Sequence, residues 1–173
     1  MNSKLNKEDL IFLLTQQERF DADLRERFEI SLETWRHEMF RRHDIALRVE
    51  VAEFVNEARI WKYWKKKPIE RDKLVDEAVD ILHFVMLILN KDGLDVEVAA
   101  ESISDYLKQI RPASKEDEVE ELLHEMLVMN LNELAILKRM LVILDYFDFD
   151  RKQIMSAYKN KNDVNFERLS SGY

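Results

Sequence analysis

Two four-residue stretches decide the fold of this chain: Glu50-Val51-Ala52-Glu53 and Glu77-Ala78-Val79-Asp80. In each stretch the two acids stand three residues apart, so an α-helix places both carboxylates on one face, about one turn from each other. The residues around both pairs are largely apolar, which leaves these acids little room on a solvent-facing surface. We therefore expect two helices that direct four carboxylates into one groove.

Four converging carboxylates repel one another unless a cation neutralises them. Two unit charges about 5 Å apart repel by roughly 3 kcal/mol at an effective dielectric constant near 20. The chain has no cysteine, and its histidines are not paired. Hard oxygen ligands of this kind favour Mg²⁺ or Mn²⁺ over zinc. Because Mg²⁺ held by carboxylates keeps positions open for water and substrate phosphates, the pattern indicates attack on a phosphate chain.

Three further stretches resemble a known family. They are Val55–Arg59 with Trp61–Trp64, Asp80–Phe84, and the C-terminal pattern Tyr158-x-x-Lys161-Asn162-x-x-Asn165-x-x-Arg168 that ends in Gly172-Tyr173. Together with the paired acids, they resemble the dimeric, all-α deoxyuridine triphosphatases (dUTPases) of the MazG-type nucleoside triphosphate pyrophosphatase superfamily. The resemblance runs from about Gln17 to the last residue.

The resemblance implies a catalytic centre and an activity. A single domain over residues 1–173 would form an all-α bundle of about six helices, assemble as a homodimer, and hydrolyse dUTP to dUMP and pyrophosphate, which limits uracil incorporation into DNA. Glu50, Glu53, Glu77 and Asp80 would hold two or more Mg²⁺ ions, with Mn²⁺ as a possible substitute. One glutamate, Glu53 in preference to Glu50, would orient or deprotonate the attacking water.

The resemblance also implies substrate contacts. The expected contacts with the base come from the early Gln-x-x-hydrophobic-Asp pattern and from the stretch after Asp80. Residues 159–173 would fold over the nucleotide and contact the base and the phosphates. The predicted substrate-binding residues are Gln17, Trp61, Lys62, Phe84, Lys161, Asn165 and Arg168. His83 is expected just outside the metal ligands as a support for them. Leu169 departs from the pattern because the family commonly has glutamine there, so no contact is assigned to it.

Some of these residues have an ordinary structural interpretation as well. Gln17 could be an exposed helical glutamine, and His83 could be a hydrogen-bonded core residue. Lys62 lies close to the basic run Lys65-Lys66-Lys67, which we expect near one mouth of the acidic groove. It could contact phosphate or remain solvated, and Trp61 could pack in the core or at an interface.

Apolar periodicity predicts helices throughout the chain and no strand. The expected helices are Lys7–Phe28, a second from Ser31 to Trp61 with a bend at Arg41–Asp44, Glu70–Lys91, Asp95 to Ile110 or Arg111, Ser114–Tyr146, and Asp150–Tyr158. Ser114 with Asp117, and Asp150 with Gln153, resemble capping boxes. Beyond Tyr158 the sequence has no apolar period.

The helix predicted from Ser114 to Tyr146 is long for this chain. At ~32 residues it would span about 48 Å, more than the ~40 Å expected of a compact chain of this size. Its Leu127–Phe147 portion is apolar on nearly every side. It therefore either breaks near Asn130 or Asn132, or buries part of its surface against another subunit.

Composition limits the classes of partner and location. The net charge of −8 argues against nonspecific binding to nucleic acid or to an anionic membrane. No apolar run reaches the ~20 residues that a membrane span needs, and the polar N-terminus does not resemble a signal peptide. We therefore expect a cytoplasmic protein. The chain has only Gly93 and Gly172, so a glycine-rich phosphate loop is excluded and metal and side chains must bind phosphate.

Three alternatives remain open at this point. A related pyrophosphatase could act on dCTP or a modified nucleotide with the same four acids. A di-iron carboxylate bundle is suggested by Glu121-x-x-His124 and Asp80-x-x-His83, although that fold needs matching ligands on four helices. A helical interaction protein without enzymatic activity would carry the acids as ordinary surface residues.

Overall fold

The computed structural model describes residues 1–64 and 67–172, and these residues form helices and connecting turns without any strand. The described residues form seven α-helices and one π-helical turn, Thr34–Glu38, which precedes the second α-helix. The α-helices are α1 (Lys7–Arg27), α2 (Phe40–Ala58), α3 (Arg71–Asn90), α4 (Val96–Leu107), α5 (Glu116–Val128), α6 (Glu133–Tyr146) and α7 (Arg151–Ser171). The all-α class is confirmed, with more helices than the six expected.

Helix α3 is the central element of the bundle. It packs against α1, α2, α6 and α7. Its apolar side chains are buried almost throughout, and Leu74, Ala78, Val79, Ile81 and Leu82 have no exposed surface. Among its polar residues, Glu77 and Asp80 are partly buried and His83 is buried. This placement brings the acidic residues of α3 against α2.

The turn between α2 and α3 is held by an arginine. Arg59 ends α2 with a left-handed backbone conformation, at a φ of 60°. Its guanidinium lies 3.1 Å from the carboxylate of Glu57 and 2.6 Å from that of Glu70. It therefore links the end of α2 to the residue just before α3 and keeps the two acid-bearing helices side by side.

Most helix starts agree with the expected capping residues. Asp95 accepts hydrogen bonds from the backbone of Glu97 and Val98 at the start of α4. Asp150 and Gln153 form the expected capping box of α7. Each cap satisfies backbone N–H groups that have no partner within the helix. The predicted N-termini of α4 and α7 are therefore confirmed.

The capping box expected at Ser114 and Asp117 is wrong. The backbone N–H of Ser114 donates instead to the Glu118 carboxylate at 2.7 Å, and α5 begins at Glu116. Asp117 accepts from the backbone of Glu118, its own neighbour. Glu118 therefore takes the role that the motif assigned to Asp117.

The long helix expected after Ser114 breaks into two. Helix α5 ends at Val128, and α6 begins at Glu133 with the side chain of Asn132 accepting from the backbone of Ala135. Asn132 is a good N-cap because its short polar side chain reaches an otherwise unpaired N–H group. The break near Asn130 or Asn132 is thus confirmed.

Several other boundaries differ from the expected ones. Helix α2 ends at Ala58 rather than Trp61, and α4 ends at Leu107 rather than Ile110 or Arg111. The bend in the second helix falls earlier than Arg41, because the π-helical turn is followed by α2 at Phe40. Helix α7 does not end at Tyr158 but continues to Ser171. Its C-terminal part is held to α1 by Phe166, whose ring meets Phe20 edge-on at 5.3 Å. This tertiary contact is not visible in the local pattern.

Two of the expected features lie partly outside the described residues. They are the basic run, at Lys65 and Lys66, and the C-terminal pattern, at Tyr173. Within the described part of the chain, no helix is long and apolar enough to cross a membrane.

Candidate active site

Three of the four paired acids converge between α2 and α3, and the fourth lies beside them. Glu50, Glu53 and Glu77 each offer a carboxylate oxygen, and these three atoms lie within 4.8 Å of one another. Asp80 is not among these three, but after burial its charge has the largest effect on the pKa of Glu50, which it raises. The helical spacing thus produces one carboxylate cluster, which we call the four-acid site.

The electrostatics of the four-acid site favour added positive charge. Burial, together with the charges of Asp80, Glu53 and Glu77, raises the pKa of Glu50 to about 7. Burial likewise raises the pKa of Glu77 and of Asp80, with neighbouring carboxylates acting in the same direction. Like charges held close together disfavour the ionised form of each. A proton or a cation would relieve this repulsion.

Lys161 of α7 lies at the edge of the four-acid site. Its ammonium donates to the carboxylate of Asp80 at 2.7 Å, and both side chains are partly buried. Burial lowers the pKa of Lys161, but the hydrogen bond and the charges of Asp80, Asp76 and Glu77 outweigh that effect, so the net shift is upward. Lys161 is therefore positively charged at neutral pH beside the acids.

A groove opens next to Lys161, between α3 and α7. It has a volume of about 730 Å³, and its walls include Lys161, Asn160, Lys152, Arg71 and Asp76. Two of the basic side chains come from α7. The groove therefore adds mixed polar surface beside the carboxylates.

Gln17 lies inside the bundle, with only 2% of its surface exposed. Its amide nitrogen donates to Asp21 at 2.8 Å, and its amide oxygen lies 2.8 Å from Nδ1 of His83. The His83 ring stacks on Tyr158 with 4.6 Å between centroids. A polar network thus connects α1, α3 and α7 close to the four-acid site, since His83 follows Asp80 by one helical turn.

Four buried polar atoms around this network lack a hydrogen-bond partner within the described residues. They are Oδ2 of Asp21, Nε2 of His83, the hydroxyl of Tyr158 and Oδ1 of Asn162. Buried polar groups are normally paired with protein atoms or ordered water, so these atoms identify a polar part of the bundle interior. Asp21, Tyr158 and Asn162 were not among the predicted site residues. The four-residue spacings Gln17–Asp21 and Tyr158–Asn162 are the signal in the sequence that could have found them.

The remaining predicted residues are placed less centrally. Lys62 donates to the backbone and side-chain oxygens of Asn56 at 2.9 and 2.7 Å, so its ammonium is held at the end of α2. Trp61 is 44% exposed and lines a separate groove between α2 and α5. Phe84 is partly buried against the core.

Two predicted residues lie on the last turns of α7. Asn165 is partly buried and Arg168 is exposed. Leu169, which replaces the family's common glutamine, is 6% exposed. An apolar side chain at position 169 is thus explained by burial at the end of α7.

The bundle and its four-acid site define a class: all-helical proteins whose paired carboxylates on two adjacent helices are arranged to hold metal. The comparison with protein families specifies which one. A family model described as dUTPase matches residues 9–173, essentially the whole chain, so the chain belongs to the dUTPase family. It is accordingly a dUTP-hydrolysing enzyme, and the resemblance found in the sequence is confirmed. A comparison with curated proteins found no match.

Proposed function

We propose that the four-acid site hydrolyses dUTP to dUMP and pyrophosphate with Mg²⁺ as the cofactor. The observation that carries this proposal is the convergence of Glu50, Glu53 and Glu77 within 4.8 Å, beside Asp80. The family establishes the substrate class and is consistent with a divalent metal. The identity of the metal and the products are inferred from the chemistry of the site.

The donor set fits Mg²⁺. All four side chains supply hard oxygen ligands. Burial and neighbouring carboxylates raise the pKa values of Glu50, Glu77 and Asp80, and a bound cation would offset both effects. Mn²⁺ has similar ligand preferences and is expected to substitute. When bound, the metal would polarise the phosphate oxygens and lower the pKa of a water in the site.

Glu53 is the proposed base. Its carboxylate would accept a proton from the water that attacks the α-phosphorus, and the bond from that phosphorus to the bridging oxygen of the leaving pyrophosphate would break. Glu53 is an exposed side chain, whereas Glu50 is partly buried, so Glu53 has the better access to water. Lys161, with Arg168 and Lys62, would stabilise negative charge on the phosphates.

The base and sugar would bind where α1, α3 and α7 meet. An amide offers both a donor and an acceptor, so Gln17 and Asn165 are suited to the uracil edge. Phe84 would supply apolar contact with the nucleoside, and His83 would support the site from the buried side of α3. The contact expected of Trp61 stays a prediction, because Trp61 lines the separate groove between α2 and α5. Residues 159–173 would close over the bound nucleotide. They would belong to the same single domain as the rest of the chain, residues 1–173.

The activity assay that tests this proposal measures pyrophosphate release from dUTP, dCTP, dTTP and UTP, each with Mg²⁺ and with EDTA. We expect metal-dependent turnover of dUTP and at least about a hundredfold lower kcat/KM for the other nucleotides, because a site built around hydrogen bonds rejects mismatched groups strongly. Preferential turnover of dCTP or of a modified nucleotide would retain the acids and reject the base assignment. Turnover of none of them would favour a non-enzymatic interaction protein.

The di-iron alternative finds no support in the geometry. Glu121 and His124 are both exposed on α5 and do not belong to the carboxylate cluster found in the described residues. A di-iron bundle needs its Glu-x-x-His ligands directed into the core. Iron analysis of the purified protein is expected to show no stoichiometric iron.

We also propose that the protein is a homodimer that pairs through α2 and α5. Helix α2 exposes an apolar stripe at Ile45, Val49 and Ala52, and Ile45 is 63% exposed. The end of α5 adds the exposed residues Leu127 and Val128 next to it. Between the helices lies a groove of about 450 Å³ with a mostly apolar lining. A second copy of this surface would bury both stripes, as a two-fold interface does.

The dimer is tested by placing charge on the stripe. The double variant Ile45→Glu/Val49→Glu is expected to sediment as a monomer, since burying two carboxylates without partners is strongly unfavourable. The wild-type protein should sediment as a dimer. Val98→Glu is the matched control, because Val98 is also exposed but lies in the first turn of α4. A monomeric wild type, or a dimer that survives the double change, would contradict this interface.

Within a cell, the proposed reaction would lower the dUTP available for incorporation into DNA. We place the protein in the cytoplasm, with dUTP as its substrate and neither nucleic acid nor membrane as a partner. This proposal rests on the net charge of −8 together with the family's substrate.

A further inference from the structure

The groove between α3 and α7 is larger than the end of a triphosphate chain requires. Its volume is about 730 Å³, and pockets of roughly 300–1,000 Å³ hold whole small molecules. Lys161 lines this groove and also donates to Asp80 at 2.7 Å. The groove and the four-acid site therefore share a side chain, so a ligand bound at the acids can continue into the groove.

The position of the groove along α3 identifies the end of the nucleotide that would enter it. Phe84, the proposed nucleoside contact, follows Asp80 in the chain, whereas Arg71 and Asp76, which line the groove, precede it. A nucleotide that lies along α3 with its base near Phe84 would thus direct its terminal phosphate toward the groove. Arg71 stands nine residues before Asp80, about 13.5 Å along the helix. The groove therefore extends beyond the reach of the two phosphates that follow the α-phosphate.

The charge of the groove does not suit additional phosphate groups. Its lining includes the basic residues Arg71, Lys152 and Lys161 and the acidic residues Asp72, Asp76 and Asp150. Apolar side chains, among them those of Val75, Phe149 and Ala157, lie between these charges. A lining with balanced charge and apolar surface offers no net attraction to an anion and favours a neutral group of the ligand.

Arg71 presents a fixed planar surface at the end of the groove that is distant from Lys161. Its guanidinium donates to the backbone carbonyl oxygens of Phe147 and Asp148. The same guanidinium lies 4.1 Å from the centre of the Phe149 ring. Phe149 is buried and Arg71 is exposed, so one face of the guanidinium is covered by the ring and the exposed surface is directed away from it. A guanidinium held in this way can stack on an aromatic ring of a ligand, including a nucleic acid base.

We propose that the groove binds an aromatic group esterified to the terminal phosphate of the substrate, and that the enzyme hydrolyses such extended nucleotides as well as dUTP. This inference rests on the proposed function, because the reaction uses the same four acids. Water would attack the α-phosphorus, Glu53 would take the proton, and the bond from that phosphorus to the bridging oxygen would break. The products are dUMP and a diphosphate ester in place of pyrophosphate. Where the aromatic group belongs to a second nucleoside, the leaving group is a nucleoside diphosphate, and Arg71 would stack on its base.

Two esters of dUTP test this proposal, the γ-methyl ester and the γ-(5′-adenosyl) ester. Both carry the same charge, and only the second has an aromatic base. Formation of dUMP from each ester and from dUTP is measured by chromatography with saturating Mg²⁺. We expect kcat/KM for the adenosyl ester to exceed that for the methyl ester by about tenfold, as for one base stacked on a side chain. We call this quotient the ester ratio.

The outcomes separate this inference from the proposed function. Turnover of dUTP without turnover of the adenosyl ester, or an ester ratio near one, would overturn the inference and leave the proposed function intact. Absence of dUTP turnover by the wild-type protein would instead reject the proposed function.

Arg71→Met tests whether Arg71 is the stacking surface. Methionine has no planar cation, so the ester ratio should fall to about one, which is the loss of one stacked base. Lys73→Met is the matched control, because Lys73 is an exposed basic residue in the same turn of α3 that pairs with Glu70 at 2.8 Å and does not line the groove. It should keep the wild-type ester ratio. An unchanged ester ratio in folded Arg71→Met would overturn the proposal.

Ser156→Trp is a second test that leaves the hydrogen bonds of Arg71 in place. Ser156 is an exposed residue of α7 that lines the groove, so an indole at this position would occupy the groove without changing the core. We expect the ester ratio to fall to about one, since the adenosyl group would be excluded while the methyl group is small enough to remain. A wild-type ester ratio in Ser156→Trp would show that the aromatic group binds elsewhere and would overturn the proposal, even if Arg71→Met did not fold.

Discussion

Replacing Glu53 with glutamine is expected to leave the helical fold intact and to lower kcat for dUTP by about 10²–10⁴-fold, the usual contribution of a general base. Glutamine has nearly the same shape as glutamate but takes up no proton and binds a divalent cation poorly. Because Glu53 is exposed and lies outside the apolar core, neutralising its charge should not unfold the bundle. Steady-state kinetics with saturating Mg²⁺, together with circular dichroism, measure both parts.

The control for Glu53→Gln is Glu97→Gln. Glu97 lies in the first turn of α4, a helix that packs against α1 and α6 and not against the acid-bearing face of α2. Its neutralisation changes the net charge equally and should leave kcat unaltered. Near-normal turnover by Glu53→Gln would remove Glu53 from the catalytic residues and make Glu50 the candidate base.

The core of this fold and the four-acid site could be predicted from the sequence because both depend on local spacing. Acids three residues apart share a helix face whatever the rest of the chain does, and the apolar residues around both pairs bring that face to the neighbouring helix. Capping residues such as Asp95 and Asp150 act within one turn, so their patterns identify helix starts directly. Two helices with such faces must meet to bury their apolar surfaces, which brings the carboxylates together.

The features that the sequence did not reveal depend on contacts between distant residues. Helix α7 continues past Tyr158 although its C-terminal part has no apolar period, because Lys161 pairs with Asp80 and Phe166 packs on Phe20. Such tertiary contacts stabilise a helix that periodicity alone would not predict. The amide of Gln17 is fixed by Asp21 and His83, and the second partner is distant in sequence.

Replacing Lys161 with methionine is expected to change turnover and metal binding in opposite directions. The ammonium of Lys161 donates to Asp80 at 2.7 Å, so it both occupies a metal ligand and adds a positive charge next to the cation site. Its loss should lower kcat/KM for dUTP by about 10²–10³-fold, the range for removing one group that stabilises transition-state charge. Mn²⁺ binding without nucleotide should tighten severalfold, because Asp80 becomes free and a repulsive charge is removed.

Isothermal titration calorimetry with Mn²⁺ measures the change in metal affinity, and steady-state kinetics on the same protein samples measure the change in turnover. Lys152→Met is the matched control, because Lys152 lines the neighbouring groove from the first turn of the same helix but is exposed. It should leave both quantities close to wild type, whereas Lys161→Arg should recover part of the turnover. If Lys161→Met weakened Mn²⁺ binding along with turnover, the lysine would be acting by holding Asp80 in place rather than by stabilising phosphate charge. Opposite changes would mean that Lys161 balances the four acids in the free enzyme and is released from Asp80 to the substrate phosphates when metal and nucleotide bind.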